Sequence, residues 1–138
     1  MTQEQCDKLN AGFEGTMNKH MGIRFTPSDD GCAWGEMPIN EYTRQYFGIV
    51  HGGAYLAFAE TLAGAGSIAS IDFDDNRHVC GIQVNGNHIH MSATEGKVIG
   101  KATPLHIGKS THVWNVDIFG EDGKLLSTER VTNMIIKK

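Results

Sequence analysis

Residues 54–70 have the sequence AYLAFAETLAGAGSIAS, and this stretch decides which folds the chain can adopt. Its apolar residues occur on every side of a helix, and Glu60 is its only charged residue. A helix that is hydrophobic all round must be covered by the rest of the protein. We therefore expect one long buried helix from Gly53 to about Ser70.

The wider stretch 45–71 also carries a single formal charge, which raises the alternative of a membrane span. Glu60 near its centre would cost roughly 2.5–3.5 kcal/mol in a bilayer, and Ala and Gly supply little insertion energy to offset that cost. We interpret the stretch as a helix inside a globular core and expect no membrane contact.

The chain after this helix is typical of β-strands joined by short turns. Every second residue from His112 to Ile118 would lie on one face of a strand, and the last segment is rich in β-branched Thr, Val and Ile. Turns are expected at Glu95-Gly96 and at Glu121-Asp122-Gly123. The four predicted strands are Val79–His90, Lys97–Leu105, Ser110–Phe119 and Leu125–Ile136.

Two elements precede the buried helix. Apolar residues recur every four positions from Leu9 through Met17 to Met21, which predicts an amphipathic helix over residues 3–21. Residues Ala33–Ile39 predict a short strand.

A single apolar helix and one antiparallel sheet bury each other's apolar surfaces if the sheet curls around the helix. We therefore predict an α+β fold in which an antiparallel sheet wraps around one long central helix. No repeat, low-complexity segment or linker divides the chain, so residues 1–138 are expected to form one domain, with the helix at 1–21 preceding the core.

The composition is that of an ordinary globular protein, with 40% hydrophobic and 20% charged residues. The formal net charge of −4 provides no basic field for binding nucleic acid. Cys6, Cys32 and Cys80 are dispersed and odd in number, which favours a reducing compartment. Because the N-terminal segment has no apolar stretch typical of a secretion signal, a cytoplasmic location is expected.

The segment from Gln45 to Gly53, with the sequence QYFGIVHGG, ends where the buried helix begins. Glycines at a helix start let a ligand approach the backbone closely. The free N–H groups there, at the positive end of the helix dipole, favour a developing oxyanion. The alternative is that Gly52-Gly53 only permits a tight turn into the helix.

Glu60 favours a catalytic function for this part of the chain. No Lys or Arg lies within one helical turn of it, and a buried carboxylate without a partner is costly, so such residues concentrate at functional sites. The alternative is that Glu60 faces solvent or a distant Arg. A thioester is an activated acyl group, so one carboxylate and one oxyanion donor can hydrolyse it without a Ser/His/Asp triad or a metal.

The pattern Gln45-x-Phe47-Gly48-x-x-His51-Gly52-Gly53-x(6)-Glu60 resembles the hotdog-fold thioesterases that act on aromatic acyl-CoAs. These include the 4-hydroxybenzoyl-CoA thioesterases, the phenylacetate-pathway thioesterases and the 1,4-dihydroxy-2-naphthoyl-CoA thioesterases of menaquinone synthesis. The resemblance continues through residues 84–88, 104–108 and 113–118. A sister branch carries an Asp near the helix start, and no Asp occurs between residues 31 and 71 here.

The resemblance implies a role for each matching position. Glu60 would be the nucleophile or general base, and the Gly52 N–H would polarise the thioester carbonyl. His51 would hold the helix start, and Gln45 would orient the acyl group or the attacking water. The residues expected to contact the pantetheine and phosphates of CoA are His88, His90, His106, Gly108, Lys109, Ser110 and Thr111.

Two positions depart from many relatives of this kind. Gly64 stands where they have Ser or Thr, so a hydroxyl that positions water would have to come from elsewhere, and Thr61 is the candidate. His90 stands where they often have Arg, which weakens the expected grip on a CoA phosphate and leaves a carrier-protein thioester possible. Tyr46, Phe47 and Phe58 are candidate apolar walls for an aromatic acyl group.

His88 and His90 alternate onto one face of a strand, a spacing that metal sites can use. No Cys or carboxylate lies within three residues to complete such a site, so we expect neither a metal nor another cofactor, with CoA present only as part of the substrate.

Two other functions fit the same fold. One is a dehydratase or hydratase acting on 3-hydroxyacyl or enoyl thioesters, which needs a different pairing of His and carboxylate. The other is a non-catalytic acyl-thioester-binding module, but sensors of that kind usually carry an attached DNA-binding domain, for which the chain has neither the length nor the charge.

A homo-oligomer is expected from distance alone. Gly52 and Glu60 lie eight residues apart, or about 12 Å along one helix, whereas the thioester carbonyl must be roughly 3 Å from both. A two-fold dimer places the helix start of one subunit beside Glu60 of the other. The resemblance also implies dimers that are often doubled into tetramers.

Overall fold

The computed structural model describes residues 1–138 and contains three helices and one sheet. Six antiparallel strands lie in the order β1-β2-β4-β5-β6-β3 and pack against the longest helix, α3. In chain order the elements are α1 (Gln3–Ala11), α2 (Met17–His20), β1 (Arg24–Thr26), β2 (Ala33–Pro38), α3 (Gly52–Ser70), β3 (Arg77–His88), β4 (Lys97–Ile107), β5 (Thr111–Gly120) and β6 (Leu125–Lys137). The predicted α+β hotdog fold is confirmed.

Helix α3 lies directly on the sheet because two strand glycines make room for it. A Cβ at Gly35 or Gly100 would overlap the Leu62 side chain, and one at Gly100 would also overlap the Phe58 ring. Leu62 and Phe58 are fully buried in the resulting core. Further along the helix, the Trp114 indole and the Asn133 amide each donate a hydrogen bond of 2.9 Å to Ser67 Oγ. These bonds fix α3 against β5 and β6.

One face of α3 is less completely covered than the sequence suggests. Leu56, Glu60 and Gly64, one turn apart, are only half-buried in the single chain. The expectation of a helix covered on every side is therefore only partly met by the chain itself. Although α3 has 19 residues, neither it nor any other helix combines the length and hydropathy needed to span a membrane.

The predicted helix over residues 3–21 is wrong. It is two helices, because α1 ends at Ala11 with Gly12 as its C-cap, and Gly15 then adopts a positive φ of 74°. The Thr16 side chain caps a new helix by accepting the Lys19 N–H. Met17 is 61% exposed and lies outside the core. Strand β1 was not predicted, since three residues are too few to show an alternation.

Strand β3 forms one edge of the sheet. Its 12 residues pair only with β6, and most of them are exposed in the single chain, including Ile82 at 53%. The pairing register shifts between Gly81 and Gln83. An exposed strand edge of this length is a surface that another chain can extend by strand pairing.

Candidate active site

The start of α3 leaves one backbone donor free. His51 is the N-cap residue, and its Nδ1 accepts a hydrogen bond of 2.8 Å from the Gly53 N–H. A neutral imidazole that accepts at Nδ1 carries its proton on Nε2. The Gly52 N–H makes no hydrogen bond within the chain. It therefore points an unsatisfied donor out of the positive end of the helix.

His88, at the end of β3, lies against this helix start. A Cβ at Gly52 would be 2.6 Å from His88 Nε2, so only glycine leaves room for the imidazole. The Tyr55 ring, one turn into α3, lies 5.4 Å from the His88 ring between centroids. The fold thus brings together Gly52 and His88, two residues singled out from the sequence.

A cavity of about 280 Å³ opens beside these residues. This is near the lower end of the roughly 300–1,000 Å³ range of small-molecule sites. Gln45 lines it and also braces its own loop, because its side-chain oxygen accepts the Phe47 N–H. His90 lines it as well and donates from Nδ1 to the Leu125 carbonyl over 2.9 Å. The other lining residues include Tyr55, His88, Met91 and Ser92.

Glu60 lies away from this cavity, on the half-buried face of α3. Its carboxylate makes no hydrogen bond or ion pair within the chain and lies against Gly81 of β3, where an added Cβ would overlap it. Its half-buried position differs from the fully buried carboxylate that the sequence suggests. Within one chain, however, Glu60 and the Gly52 N–H do not face a common point.

The two residues predicted to assist Glu60 have different surroundings. The Thr61 hydroxyl can donate to Asn18 Oδ1 at 2.9 Å or to the Ala57 carbonyl at 2.8 Å, so it faces α2. A Cβ at Gly64 would meet nothing within 4 Å, so the helix surface one turn beyond Glu60 is open. A substrate contact at Thr61 or Gly64 stays a prediction.

The predicted CoA loop connects β4 to β5. The Gly108 N–H donates to the Thr111 carbonyl over 2.9 Å, and the Ser110 carbonyl accepts the Ile135 N–H over 2.8 Å, which leaves Lys109 exposed. His106 is exposed before the turn. These contacts give the loop a defined shape with its polar side chains directed outward.

The β4–β5 loop and the contact between Glu60 and Gly81 lie at opposite ends of one row of paired residues that crosses the sheet. A row of paired residues crosses from Gly81 on β3 through Asn133 and His112 to Ile107 on β4. Three strand spacings separate its ends by about 14 Å. Burial lowers the pKa of His112 in this row, so its imidazole is neutral near pH 7.

The prediction that Phe58 is an apolar wall of the site is wrong. Phe58 is fully buried between α3 and the sheet because it occupies a core-facing position of the helix. Tyr46 and Phe47, by contrast, are 95% and 79% exposed beside the cavity.

Sequence reasoning missed Glu129 on β6. It is only 2% exposed, and burial raises its pKa to about 7, partly offset by a hydrogen bond from the Ser127 hydroxyl. The signal was present in the predicted last strand, where Ser127, Glu129 and Val131 alternate on the inward face. Like Glu60 in the helix, Glu129 is a charged residue at a position where the pattern predicts an apolar one.

The structure contains no group of three or more His, Cys, Asp or Glu side chains placed to hold a metal ion. His88 and His90 instead make separate contacts, to Ser127 and to the Leu125 carbonyl.

Comparison with known proteins identifies the family. The family model of the thioesterase superfamily matches residues 47–127. The 1,4-dihydroxy-2-naphthoyl-CoA hydrolase of Escherichia coli is 38% identical over 131 residues, which cover 94% of this chain and 93% of that protein. The proofreading thioesterase EntH of Klebsiella pneumoniae is 37% identical over 129 residues, 93% of this chain and 91% of that one.

A crystal structure of a mutant of the thioesterase PA1618 from Pseudomonas aeruginosa superposes with a TM-score of 0.90, at 32% identity, over 96% of this chain and 94% of that one. Identity of this extent over nearly the whole length, together with the shared fold, leaves one conclusion. The chain belongs to the thioesterase superfamily and is a thioester hydrolase with the hotdog fold.

Proposed function

We propose that the protein hydrolyses an aromatic acyl-CoA to the free acid and CoA, with Glu60 as nucleophile or general base. The observation that carries this proposal is the presence, on one helix, of an unpaired carboxylate at Glu60 and a free N–H at Gly52. The Gly52 N–H donates to the thioester carbonyl oxygen, where negative charge develops in the transition state. If Glu60 attacks the carbonyl carbon, the thiolate of CoA leaves and water then hydrolyses the resulting anhydride to free acid and Glu60. If Glu60 is the general base, it takes a proton from the attacking water, and that proton passes to the leaving thiolate of CoA.

The site is completed by a second copy of the chain. The half-buried face of α3 at Leu56, Glu60 and Gly64 and the free edge of β3 are adjacent, since the Glu60 carboxylate contacts Gly81. A two-fold axis beside this surface would cover both and bring Glu60 of one subunit to the helix start of the other. We propose a homodimer as the catalytic unit, and a pair of such dimers as the complete homotetramer.

An aromatic acyl group suits the surroundings of the cavity. Met91 lines it and is exposed in the single chain, and the exposed Tyr46 and Phe47 directly follow the lining residue Gln45 in the sequence. Aromatic and thioether side chains contact a planar ring favourably. The name of the Escherichia coli relative points to a dihydroxynaphthoyl group, which would place the reaction in menaquinone synthesis in the cytoplasm.

The CoA part of the substrate is assigned to the β4–β5 loop and to the end of β3. Lys109 is exposed and cationic there, and His106, Ser110 and Thr111 offer further donors, as His88 and His90 do on β3. Lys109 can approach a phosphate as a point charge. With His90 in place of an arginine, Lys109 is the principal cation of this assignment.

A panel of acyl-CoAs tests the substrate class. We expect kcat/KM for 1,4-dihydroxy-2-naphthoyl-CoA and benzoyl-CoA to exceed that for acetyl-CoA by roughly tenfold or more, because burying a ring contributes about 1.5–3 kcal/mol. Thiol release measured with a disulfide reagent gives the rates. A higher kcat/KM for acetyl-CoA than for benzoyl-CoA would show that the aromatic assignment is wrong.

Replacing Gly81 with alanine tests the position of the Glu60 carboxylate. The added Cβ would overlap Glu60 Oε1, which can rotate away because it ends a flexible side chain. We therefore expect kcat/KM to fall at least about tenfold with little change in thermal stability, as for a displaced acid–base group. Gly12→Ala is the matched control, since its Cβ meets only the Leu9 and Lys8 carbonyls, at 3.4 Å and 3.8 Å. Equal rates for the two variants would contradict this position for Glu60.

A further inference from the structure

A chain of three side chains leads from the buried interior to the helix start. His88 Nδ1 lies 2.8 Å from Ser127 Oγ, and the Ser127 hydroxyl in turn donates to Glu129 Oε1. At the outer end, His88 Nε2 is the atom that touches Gly52. At the inner end, Glu129 Oε2 has no hydrogen-bond partner. Nothing in the proposed hydrolysis uses Glu129.

The fold makes a specific place for this carboxyl. Glu129 pairs with Gly86 on β3, and a Cβ at Gly86 would lie 2.6 Å from Glu129 Cγ. The side chain therefore fills a space that a glycine leaves open beneath the strand that carries His88. A buried carboxyl at such a place is costly to ionise, because burial removes it from water.

The number of protons shared by His88, Ser127 and Glu129 determines whether His88 Nε2 is a donor or an acceptor beside Gly52. When Glu129 is ionised, the Ser127 proton is donated to it, so a neutral His88 must donate from Nδ1 and its Nε2 is a bare acceptor. One added proton changes this. It either neutralises Glu129 or resides on His88 itself. Neutralising Glu129 frees the Ser127 proton for His88 Nδ1, which at 2.8 Å is nearer than the Asn87 carbonyl at 3.2 Å, and so places the imidazole proton on Nε2. Both arrangements present an Nε2–H beside Gly52.

We propose that Glu129 is a positioning residue that acts through Ser127 to control whether His88 offers an N–H at the thioester carbonyl. This rests on the proposed function, in which the Gly52 N–H binds the same carbonyl oxygen. With the extra proton, His88 Nε2–H is a second donor to the developing oxyanion. Without it, the Nε2 lone pair faces that oxygen and repels it.

The groups around Glu129 keep its pKa near neutral pH. Tyr55 on α3 is uncharged there, since burial raises its pKa. Asp117 on β5 adds to the effect of burial on the pKa of Glu129, which lies at about 7. Arg130, next along β6, is exposed on its other face, and the residue of β3 opposite Glu129 is Gly86, two positions before His88.

The imidazole nitrogens of His88 report the effect directly, without any substrate. In ¹⁵N-histidine protein, assigned with a His88→Gln variant, we expect Nε2 to change from protonated to bare between about pH 5.5 and about pH 8.5, on either side of the Glu129 pKa of about 7. Glu129→Gln keeps the shape of the side chain but cannot exchange a proton. In this variant the protonation of Nε2 should no longer follow the pH dependence seen in the wild-type protein. An Nε2 signal that follows the wild-type curve in Glu129→Gln would overturn the proposal, whatever the substrate proves to be.

The pH dependence of hydrolysis is the second measurement. Wild-type kcat/KM should fall as pH rises through about 7, and Glu129→Gln and Ser127→Ala should both lose that limb. Asp117→Asn is the matched control: it removes a nearby carboxylate outside the hydrogen-bonded chain, so the limb should persist at slightly lower pH. If Glu129→Gln lowers the rate equally at every pH and keeps the limb, Glu129 is only structural.

Thermal unfolding tests whether Glu129 titrates in the folded protein. A carboxyl whose folded pKa is raised from 4.5 to about 7 contributes its full stability below 4.5 and loses it as pH rises through about 7. The wild-type midpoint should therefore fall over this range more than that of Glu129→Gln. Parallel midpoints for the two proteins would show that Glu129 does not carry the proton.

Discussion

Glu60→Gln is expected to lower kcat/KM by about 10²-fold to 10⁴-fold, the range for a positioned nucleophile or acid–base group. The fold should be unchanged, because the Glu60 carboxylate makes no hydrogen bond or ion pair within the chain. Removing it deprives no partner of an interaction and relieves the cost of a half-buried charge. Thiol release from benzoyl-CoA and circular dichroism measure the two effects.

Glu95→Gln is the matched control, since it makes the same change in charge at an exposed turn. Its rate should equal that of the wild-type protein. A loss of less than about tenfold in Glu60→Gln, well below the range for a positioned acid–base group, would contradict the assignment of Glu60.

Gly52→Val is expected to abolish hydrolysis to a similar degree by a different route. Even a single Cβ at this position would lie 2.6 Å from His88 Nε2, so valine must displace the imidazole or the helix start, and it also blocks the approach of the carbonyl. Because Glu60 is untouched, this variant and Glu60→Ala are defective in different halves of the proposed site.

Mixing the two inactive variants tests whether the site is shared. Random reassociation makes half of the dimers mixed, and each mixed dimer has one intact site of two, so about a quarter of wild-type activity should return. Each variant refolded alone is the control and should stay inactive. If native mass spectrometry shows mixed dimers and no activity returns, Gly52 and Glu60 of different subunits do not form one site.

The sequence was most informative where one physical demand dominated. The all-round apolar helix at 54–70 requires a covering sheet, and the alternation from His112 to Ile118 predicts the buried face that the structure shows. Where two demands competed, the prediction was wrong. The apolar spacing from Leu9 to Met21 favours one helix, but the glycines at 12 and 15 interrupt it.

The predictions about the site also succeeded where the signal was local and failed where it was not. Glu60 and Gly52 were identified because a charge in an apolar helix and glycines at its start are local signals. Phe58 was misplaced because proximity in sequence to Glu60 does not say which helix face enters the core. The chain from His88 through Ser127 to Glu129 spans β3 and β6, about 40 residues apart, and only the pairing of those strands brings it together.

That pairing also determines when the site can form during synthesis. Strand β3 has no partner in the chain except β6, the strand nearest the C-terminus, whereas β4 and β5 form a hairpin of near neighbours. A nascent chain therefore holds α3 and β3 with their apolar surfaces only partly covered until β6 has left the ribosome. Contacts between distant segments form slowly, and exposed strands aggregate in the interval. The residues that close the sheet are also the ones that bring Glu129 under His88, so completion of the fold and placement of His88 on Glu129 are the same late event.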